Sequence, residues 1–364
     1  MYWIPFLVAG SLLLLSNKTD KPKKKKKNMA NCNKLFLDYN KNLTITKKKK
    51  DSLKDSKEVL RKRILKHFKE NHPDYVPEFY IQGSYKMGTT IITKDDECDL
   101  DDGVYFRRKE GVSGTTLQKW VKDAVDGATS THPQHRKRCV RVIYAGNYHI
   151  DYPVYYFPSD WQHPKLAVKN EEIVESDPKE VVTWFDSEKK DNPQLIRIVK
   201  YLKGWGDYKR NRMPNGLSMC ILGAENLIAD DRDDIALQKT LIAIKNNLDN
   251  EFECIVPATP YDDLFADYDE DRRNYFLDNL QAFIDDATTA VEDEKNQLAA
   301  SKLWRKHLGK TFPLGADEDV DTKEKALKEQ SSTILSGNAY TTRDGKIKES
   351  GAVKNKPHTN YGGK

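Results

Sequence analysis

Between Asp51 and Asn71 the apolar residues Leu53, Leu60, Ile64 and Phe68 recur at a helical period. This predicts an amphipathic helix that the following His-Pro-Asp stretch breaks. Four later segments carry the apolar alternation or short apolar blocks of strands: 78–83 (EFYIQG), 98–106 (CDLDDGVYF), 136–144 (RKRCVRVIY) and 147–157 (NYHIDYPVYYF). Between the second and third, TTLQKWVKDAV reads as a helix. In ESDPKEVVTWF, Asp177 is placed as an N-cap with Pro178 at the first helical position. From Gln194 onward the helical period takes over, over 194–211, 217–229, 233–248, 270–286 and about 289–308, and the turn MPNG separates the first two. After Leu314 the chain becomes acidic, then rich in Ser, Thr, Gly and Lys, a composition that cannot bury a core. The pattern predicts an α+β chain: a mixed-sheet lobe over 51–190, a helical lobe over 191–314 and a flexible tail over 315–364. No internal repeat, P-loop or G-x-G-x-x-G is present.

Composition changes this picture at the N-terminus. The 364 residues are 38% hydrophobic and 10% aromatic, enough for a core, and 32% charged. Thirteen lysines against Asp20 and Asp38 give residues 1–50 a net +11, so the whole-chain +5 leaves −6 on residues 51–364. The predicted lobes are acidic, which weakens any nucleic-acid argument from net charge. Residues 1–50 are expected to lie outside the folded lobes. Their apolar run of about 14 residues falls short of the roughly 17–25 that a membrane span needs, and it lacks a positive n-region and a cleavage site. The reading adopted is a start at Met29, with anchoring through residues 2–15 as the alternative. The five cysteines are scattered and form no C-x-x-C, as expected of free thiols in a reducing cytoplasm. His132, His135 and Cys139 lack a second ligand pair, and no zinc site is assigned to them.

The strand at 98–106 is a poor strand by propensity because of its acids, so its chemistry needs an account. Side chains alternate across a sheet, so Asp99 and Asp101 share one face while Cys98 and Leu100 take the other. Two carboxylates on one face repel unless a cation sits between them. Mg2+ takes one or two protein carboxylates and completes its shell with phosphate and water. Asp151, the lone charge in YHIDYPVYYF, would supply a third acid and accept the proton of an attacking hydroxyl. Gly83 and Ser84, directly after a strand, would let backbone N–H groups and a hydroxyl approach a phosphate. The bland alternatives are solvated loop acids and, at Asp102-Gly103, a turn or bulge.

The helix at 194–211 adds a cation. At the helical period, Leu195, Ile196, Val199 and Leu202 fall on one apolar stripe, and Lys203 falls inside it, between Val199 and Ile196. An inward lysine should be aimed at an anion, and a triphosphate fits. Lys200 falls at the edge of the stripe and is expected to stay solvated.

These motifs resemble the DNA polymerase β-like nucleotidyltransferase superfamily, whose pattern is Gly-Ser, an Asp-x-Asp strand and a third Asp. Within it, QGSYKMGTT, DLDDGVYF, HIDYPVYY, ESDPKEVVTWF, RIVKYLKGW and AASKLWRKHLGKTFP are similar to the CD-NTases, the cGAS/DncV-like synthases of CBASS anti-phage defence. The resemblance covers about residues 50–315. It implies a two-lobed polymerase β-like nucleotidyltransferase, with a mixed-sheet catalytic lobe and a helical lobe, that joins NTPs, ATP and/or GTP, into a cyclic di- or oligonucleotide. It also implies two Mg2+ ions (Mn2+ as an alternative) on Asp99, Asp101 and Asp151. Gln82, Gly83, Ser84, Lys203 and Ser218 are implied as nucleotide contacts. The implied partners are a cyclic-nucleotide-activated effector and, through the ending KPHTNYGGK, a ubiquitin-like conjugation system. No stable nucleic-acid or membrane partner is expected. Two other functions stay open: a template-independent transferase acting on RNA, protein or a small molecule, and a non-catalytic RNA- or protein-binding scaffold.

Overall fold

The computed structural model describes residues 29–160, 162–342, 347–348 and 353–354. The readings for residues 1–28 and for the last ten residues of the chain lie outside them. In chain order the N-terminal half contains α1 (Asn33–Leu43), α2 (Lys47–Asn71), β1 (Pro77–Gln82), α3 (Gly83–Met87), β2 (Cys98–Phe106), α4 (Gly114–Val125), β3 (Gln134–His135), β4 (Val140–Tyr144), β5 (Tyr148–Tyr152), β6 (Val154–Tyr156), β7 (Lys165–Leu166) and β8 (Val174–Glu175). The helical half follows with α5 (Pro178–Lys190), α6 (Gln194–Lys209), α7 (Gly216–Glu225), α8 (Asp233–Asn250), α9 (Glu270–Thr288), α10 (Gln297–Leu308) and α11 (Val320–Leu335). Three two-residue strands at 340–341, 347–348 and 353–354 form a separate small sheet.

The main sheet is built on β2. Along one edge β1 pairs with it antiparallel; along the other, β5 and β6 pair with it parallel. The predicted strand 147–157 is divided at Pro153, which cannot donate to a ladder. Its two halves continue to different neighbours, β5 to β4 and β6 to β7, both antiparallel. One face of the sheet is covered by α2 and α4. Leu53, Leu60, Ile64 and Phe68, the stripe read from the sequence, are fully buried against Leu100, Val104, Ile150 and Tyr152. Asp102 also points to this side. It is fully buried, its carboxylate accepting from Arg61 Nε of α2 at 2.8 Å, and it lies within β2 rather than at a turn or bulge. The other face, with Asp99, Asp101 and Tyr105, looks toward the helical half.

The expected boundary at residue 50 falls inside α2. The chain before it is folded from residue 29: Leu35, Phe36, Tyr39 and Leu43 of α1 are buried in the helical core. The Phe36 ring packs edge-on against Tyr201, Trp304 and Phe312 at 5.1, 4.8 and 4.9 Å. The apolar stripe of α1 is short, and flanking lysines dominate the composition around it. Two helix ends also move, α7 stopping at Glu225 and a π-turn at 289–293 separating α9 from α10, and residues 320–335, expected to be flexible tail, form α11. Their Lys, Glu, Ala and Leu content favours a helix without a core.

Asp233 joins three of these helices. Its buried carboxylate accepts from Arg197 Nε and Nη2 at 2.7 and 2.8 Å, Gln194 Nε2 at 2.7 Å and Tyr201 Oη at 2.7 Å, while its own N–H donates to Asn33. Burial works to raise its pKa, but the bonds from Arg197, Gln194 and Tyr201 outweigh this and hold it below the usual range. Asp233→Ala should therefore cost about 3 kcal/mol, the low end for a broken buried pair because Arg197 still reaches water. For a depressed carboxyl the stabilisation is present above the unfolded value near pH 4 and is lost as pH falls through the folded one. Urea titrations at pH 7 and at pH 3 check both statements. A difference that does not shrink in acid would contradict the assignment.

Candidate active site

Strand register assembles the acids. In the parallel pair β2–β5, Asp99 lies beside His149 and Asp101 beside Asp151. On the other edge Gln82 ends β1 opposite Asp101, and Arg141 of β4 faces Asp151. Asp99, Asp101 and Asp151 therefore share one face of adjacent strands, as the alternation predicted for the first two. Asp99 and Asp101 open toward a cavity of about 740 Å³ between the lobes, a size that suits a nucleotide, and Asp151 is buried beside Asp101. The cavity wall includes Gly83, Ser84, Asp99, Asp101 and His149 from the sheet side, and Lys203, Asp207, Gly216 and Leu217 from the helical side.

Gly83 starts α3 with φ +61°, and a Cβ built there would lie 2.1 Å from Asp101 Oδ2. Only glycine allows the turn to lie against the carboxylate. Ser84 Oγ is 2.8 Å from Thr90 Oγ1. Gln82 runs under the site: its Nε2 donates to Tyr155 Oη and its Oε1 accepts from Tyr105 Oη, both at 3.0 Å. Gly103 makes room for this, since a Cβ there would meet Gln82 Oε1 at 2.4 Å. The side-chain amide expected to touch nucleotide is thus engaged by two tyrosines of the sheet.

Asp101 has surface on the cavity yet is crowded by protein. Burial first, then Asp99 and Asp151, push its carboxyl well above the ordinary range, against the opposing pull of Lys203 and Arg141. Asp151 moves the other way. Burial would raise it, but His149 and Arg141 hold it below the usual range. Arg141 grips it through Nε to Oδ1 at 2.8 Å and Nη2 to Oδ2 at 2.7 Å, and His149 Nδ1 lies 3.3 Å from Oδ1, outside hydrogen-bond alignment. A cluster of acids with one carboxyl driven to hold a proton fits a divalent cation, which would relieve the repulsion that raises it. Among the described residues, the metal-ligating atoms gathered most closely belong instead to His163, Asp177 and Glu180, within 4.8 Å of one another. These three side chains are already paired: His163 Nδ1 is 3.2 Å from Asp177 Oδ2, Asp177 Oδ1 caps α5, Glu180 Oε2 accepts from Thr259 N–H, and His163 Nε2 is 3.3 Å from Thr259 Oγ1. They tie α5 to the loop at 258–262 at the cavity rim.

From the helical side Lys203 reaches inward as the helical period predicted, donating to Thr89 O and Oγ1 at 3.3 and 3.2 Å. Two other expectations fail. Ser218 is fully buried in the first turn of α7, its hydroxyl bonded to the N-cap Asn215 at 3.3 Å. Lys200 is not solvated: it is 8% exposed, Nζ donates to Thr44 Oγ1 at 3.2 Å, and burial together with Lys50 and Lys203 lowers its pKa. The turn between α1 and α2 covers it, and that turn was not predicted. Lys200→Met should accordingly hold or raise the melting temperature. Lys203→Ala should instead raise the nucleotide KM and lower kcat, a loss of about 2–4 kcal/mol in transition-state stabilisation. Melting curves and steady-state kinetics on the two variants check this pair. Sequence reasoning also missed Arg141, which stands in no motif, and gave no role to His149 and Thr89, although they lie within HIDYPVYY and QGSYKMGTT. His132 and His135 bond to Asp126 and Gln118 respectively, and Cys98 and Cys139 are free thiols that burial pushes up to about 11 and about 12.

Residues 77–155 match the family model for the nucleotidyltransferase domain described as Cyclic GMP-AMP synthase DncV-like. A curated protein, the cyclic GMP-AMP synthase of Escherichia albertii, is 27% identical over 190 residues, 47% of this chain and 42% of that protein. The alignment thus spans under half of that relative's length. Among solved structures, a variant of the Vibrio cholerae di-nucleotide cyclase DncV in complex with ATP and GTP superposes with a TM-score of 0.69 at 17% identity, over 78% of this chain and 97% of that one. The Vibrio cholerae DncV cyclic AMP-GMP synthase with a linear intermediate gives 0.68 at 18%, over 80% and 100%. The two-lobed mixed α/β fold is that of the polymerase β-like nucleotidyltransferases.

Proposed function

We propose, from the premise that residues 77–155 of this chain are a DncV-like nucleotidyltransferase domain, that the protein joins NTPs into a cyclic di- or oligonucleotide with release of pyrophosphate. The single observation that carries this reading is the register that sets Asp101 beside Asp151 and under Gly83, facing a cavity with Lys203 opposite. Phosphoryl transfer asks mainly for in-line positioning and charge neutralisation.

The Gly83–Ser84 turn and Lys203 would hold the donor triphosphate from the two sides of the cleft. Asp99, Asp101 and Asp151 would hold divalent cations, Mg2+ by the chemistry of an all-carboxylate set. Bound there, such ions supply charge neutralisation on the phosphates and lower the pKa of the attacking hydroxyl. Asp151, kept ionised by its neighbours, is the group able to take the hydroxyl proton. Once the first bond is made, the linear product must turn in the same cavity so that its free hydroxyl meets its own triphosphate. A role in CBASS defence, with an effector switched on by the product, follows from the family resemblance. Capture of the C-terminus by a conjugation system is part of the same reading.

The test is incubation with labelled ATP and GTP and Mg2+, then phosphatase and nuclease digestion. Phosphatase-resistant label that nuclease releases as mononucleotides is the expected result. Label transferred to added RNA or to protein would favour the template-independent transferase, and no NTP consumption would favour the scaffold. Among the described residues no helix is long and apolar enough to cross a membrane.

A further inference from the structure

Beside the three acids stands a cation that none of the sequence motifs contains. Arg141 comes from β4, the strand beyond Asp151, and its guanidinium takes both Asp151 oxygens in a two-bond fork. Arg141 is one of the half-buried arginines, its side chain 23% exposed, and Asp151 is almost fully enclosed at 8%. The fork is coplanar with the carboxylate by its own chemistry, so it sets the rotation of the carboxyl group as well as its charge. An ionised carboxylate has about four acceptor positions, and a fork uses two of them. The remaining two lie at directions fixed by the fork.

We propose that Arg141 is a positioning residue for the nucleotidyltransferase site: it orients Asp151 so that the free lone pairs of the third carboxylate meet a divalent cation shared with Asp99 and Asp101. This rests on the proposed function and deepens it. Three observations support it. Asp99 and Asp101 sit in one strand, where the pleat alone sets their common face. Asp151 sits in a neighbouring strand, and register brings its Cα beside Asp101 without deciding its side-chain torsions. His149, the other neighbour of Asp151, stands at 3.3 Å without hydrogen-bond alignment, so among these contacts the orienting bonds are those of Arg141. Groups that hydrogen-bond a metal-ligating carboxylate commonly contribute 10–100-fold to metal affinity.

The test measures Mn2+ binding by the paramagnetic resonance of the free ion, on the full chain, with a non-hydrolysable ATP analogue present. Arg141→Met should weaken Mn2+ binding by about tenfold or more. Arg141→Lys, which keeps the charge and loses the fork, should be weakened as well, and it serves if the Met variant does not fold. In an Asp151→Asn background, adding Arg141→Met should change Mn2+ affinity by less than about twofold, since Arg141 acts through the carboxylate now removed. Equal or tighter binding by the single variants, or a loss that persists unchanged in the Asn background, would overturn the positioning role while leaving the functional reading intact. A parent protein that binds no Mn2+ with the analogue would overturn both.

Discussion

Replacing Asp99 and Asp101 together with Ala should abolish NTP consumption while the melting temperature, without nucleotide or added metal, holds or rises. Both acids look into the cavity and neither closes a core: the buried side of β2 is made by Leu100, Val104 and Phe106. Asp101 is a cost to the fold as it stands, because burial and the neighbouring Asp99 and Asp151 raise its pKa. A carboxyl that holds its proton more tightly folded than unfolded lowers stability as pH rises above the unfolded value near 4. Below that value both states are protonated and the effect vanishes. The gain in melting temperature of the variant over the parent should therefore be present at pH 7 and absent at pH 3. Residual turnover within about tenfold of the parent would remove the metal-clamp assignment, since charge neutralisation of this kind is expected to carry several kcal/mol of the barrier.

Gly83→Ala should reduce turnover by about a hundredfold or more with all three acids still in place. The φ of +61° alone disfavours Ala by roughly 1–2 kcal/mol. The larger effect is steric, because a Cβ at 2.1 Å from Asp101 Oδ2 cannot be accommodated unless the α3 turn or the carboxylate moves. Either movement displaces the proposed phosphate-binding turn from the proposed metal-binding acid by about 1 Å, and errors of that size cost on the order of a hundredfold. Ser84→Ala, which keeps the turn and removes only the hydroxyl that meets Thr90, should lose much less. Kinetics on the two variants side by side separate steric register from hydroxyl contact. Similar, small losses in both would mean that the turn does not approach the reacting phosphate.

How much of this was legible depended on whether a feature is local in the chain. The common face of Asp99 and Asp101 was readable because alternation is a property of one strand, and the α2 stripe because a helix repeats along itself. The same periodicity places Lys203, and the structure puts it at the cavity wall. The failures share a different origin. Lys200 lies at the edge of the apolar stripe of α6, and its burial depends on the turn at Thr44, more than a hundred residues earlier. Gln82, by contrast, stands on the cavity wall beside Gly-Ser as read, but the hold of Tyr105 and Tyr155 on its amide was not legible, because only sheet pairing brings them there. Ser218 turns inward, its hydroxyl on the N-cap Asn215 of α7, while Gly216 and Leu217 of the same turn face the cavity.

The sequence by itself therefore determined which residue types are candidates for the chemistry, on which strands and helices they stand, and the α+β order of the chain. Those follow from backbone periodicities of 2 and 3.6 residues and from turn chemistry, all of which act over a few neighbours. Only the tertiary structure decided what lies across from each of them. The parallel register of β2 with β5 put Asp151 beside Asp101, the antiparallel register of β4 put Arg141 on Asp151, and the packing of α1 on the helical half closed over Lys200. A single residue's slip in either register would have turned the same side chains to the opposite face, since the period of a strand is two. Pairing between strands is set by the whole buried face at once, through contacts distant in sequence, and no local pattern encodes it.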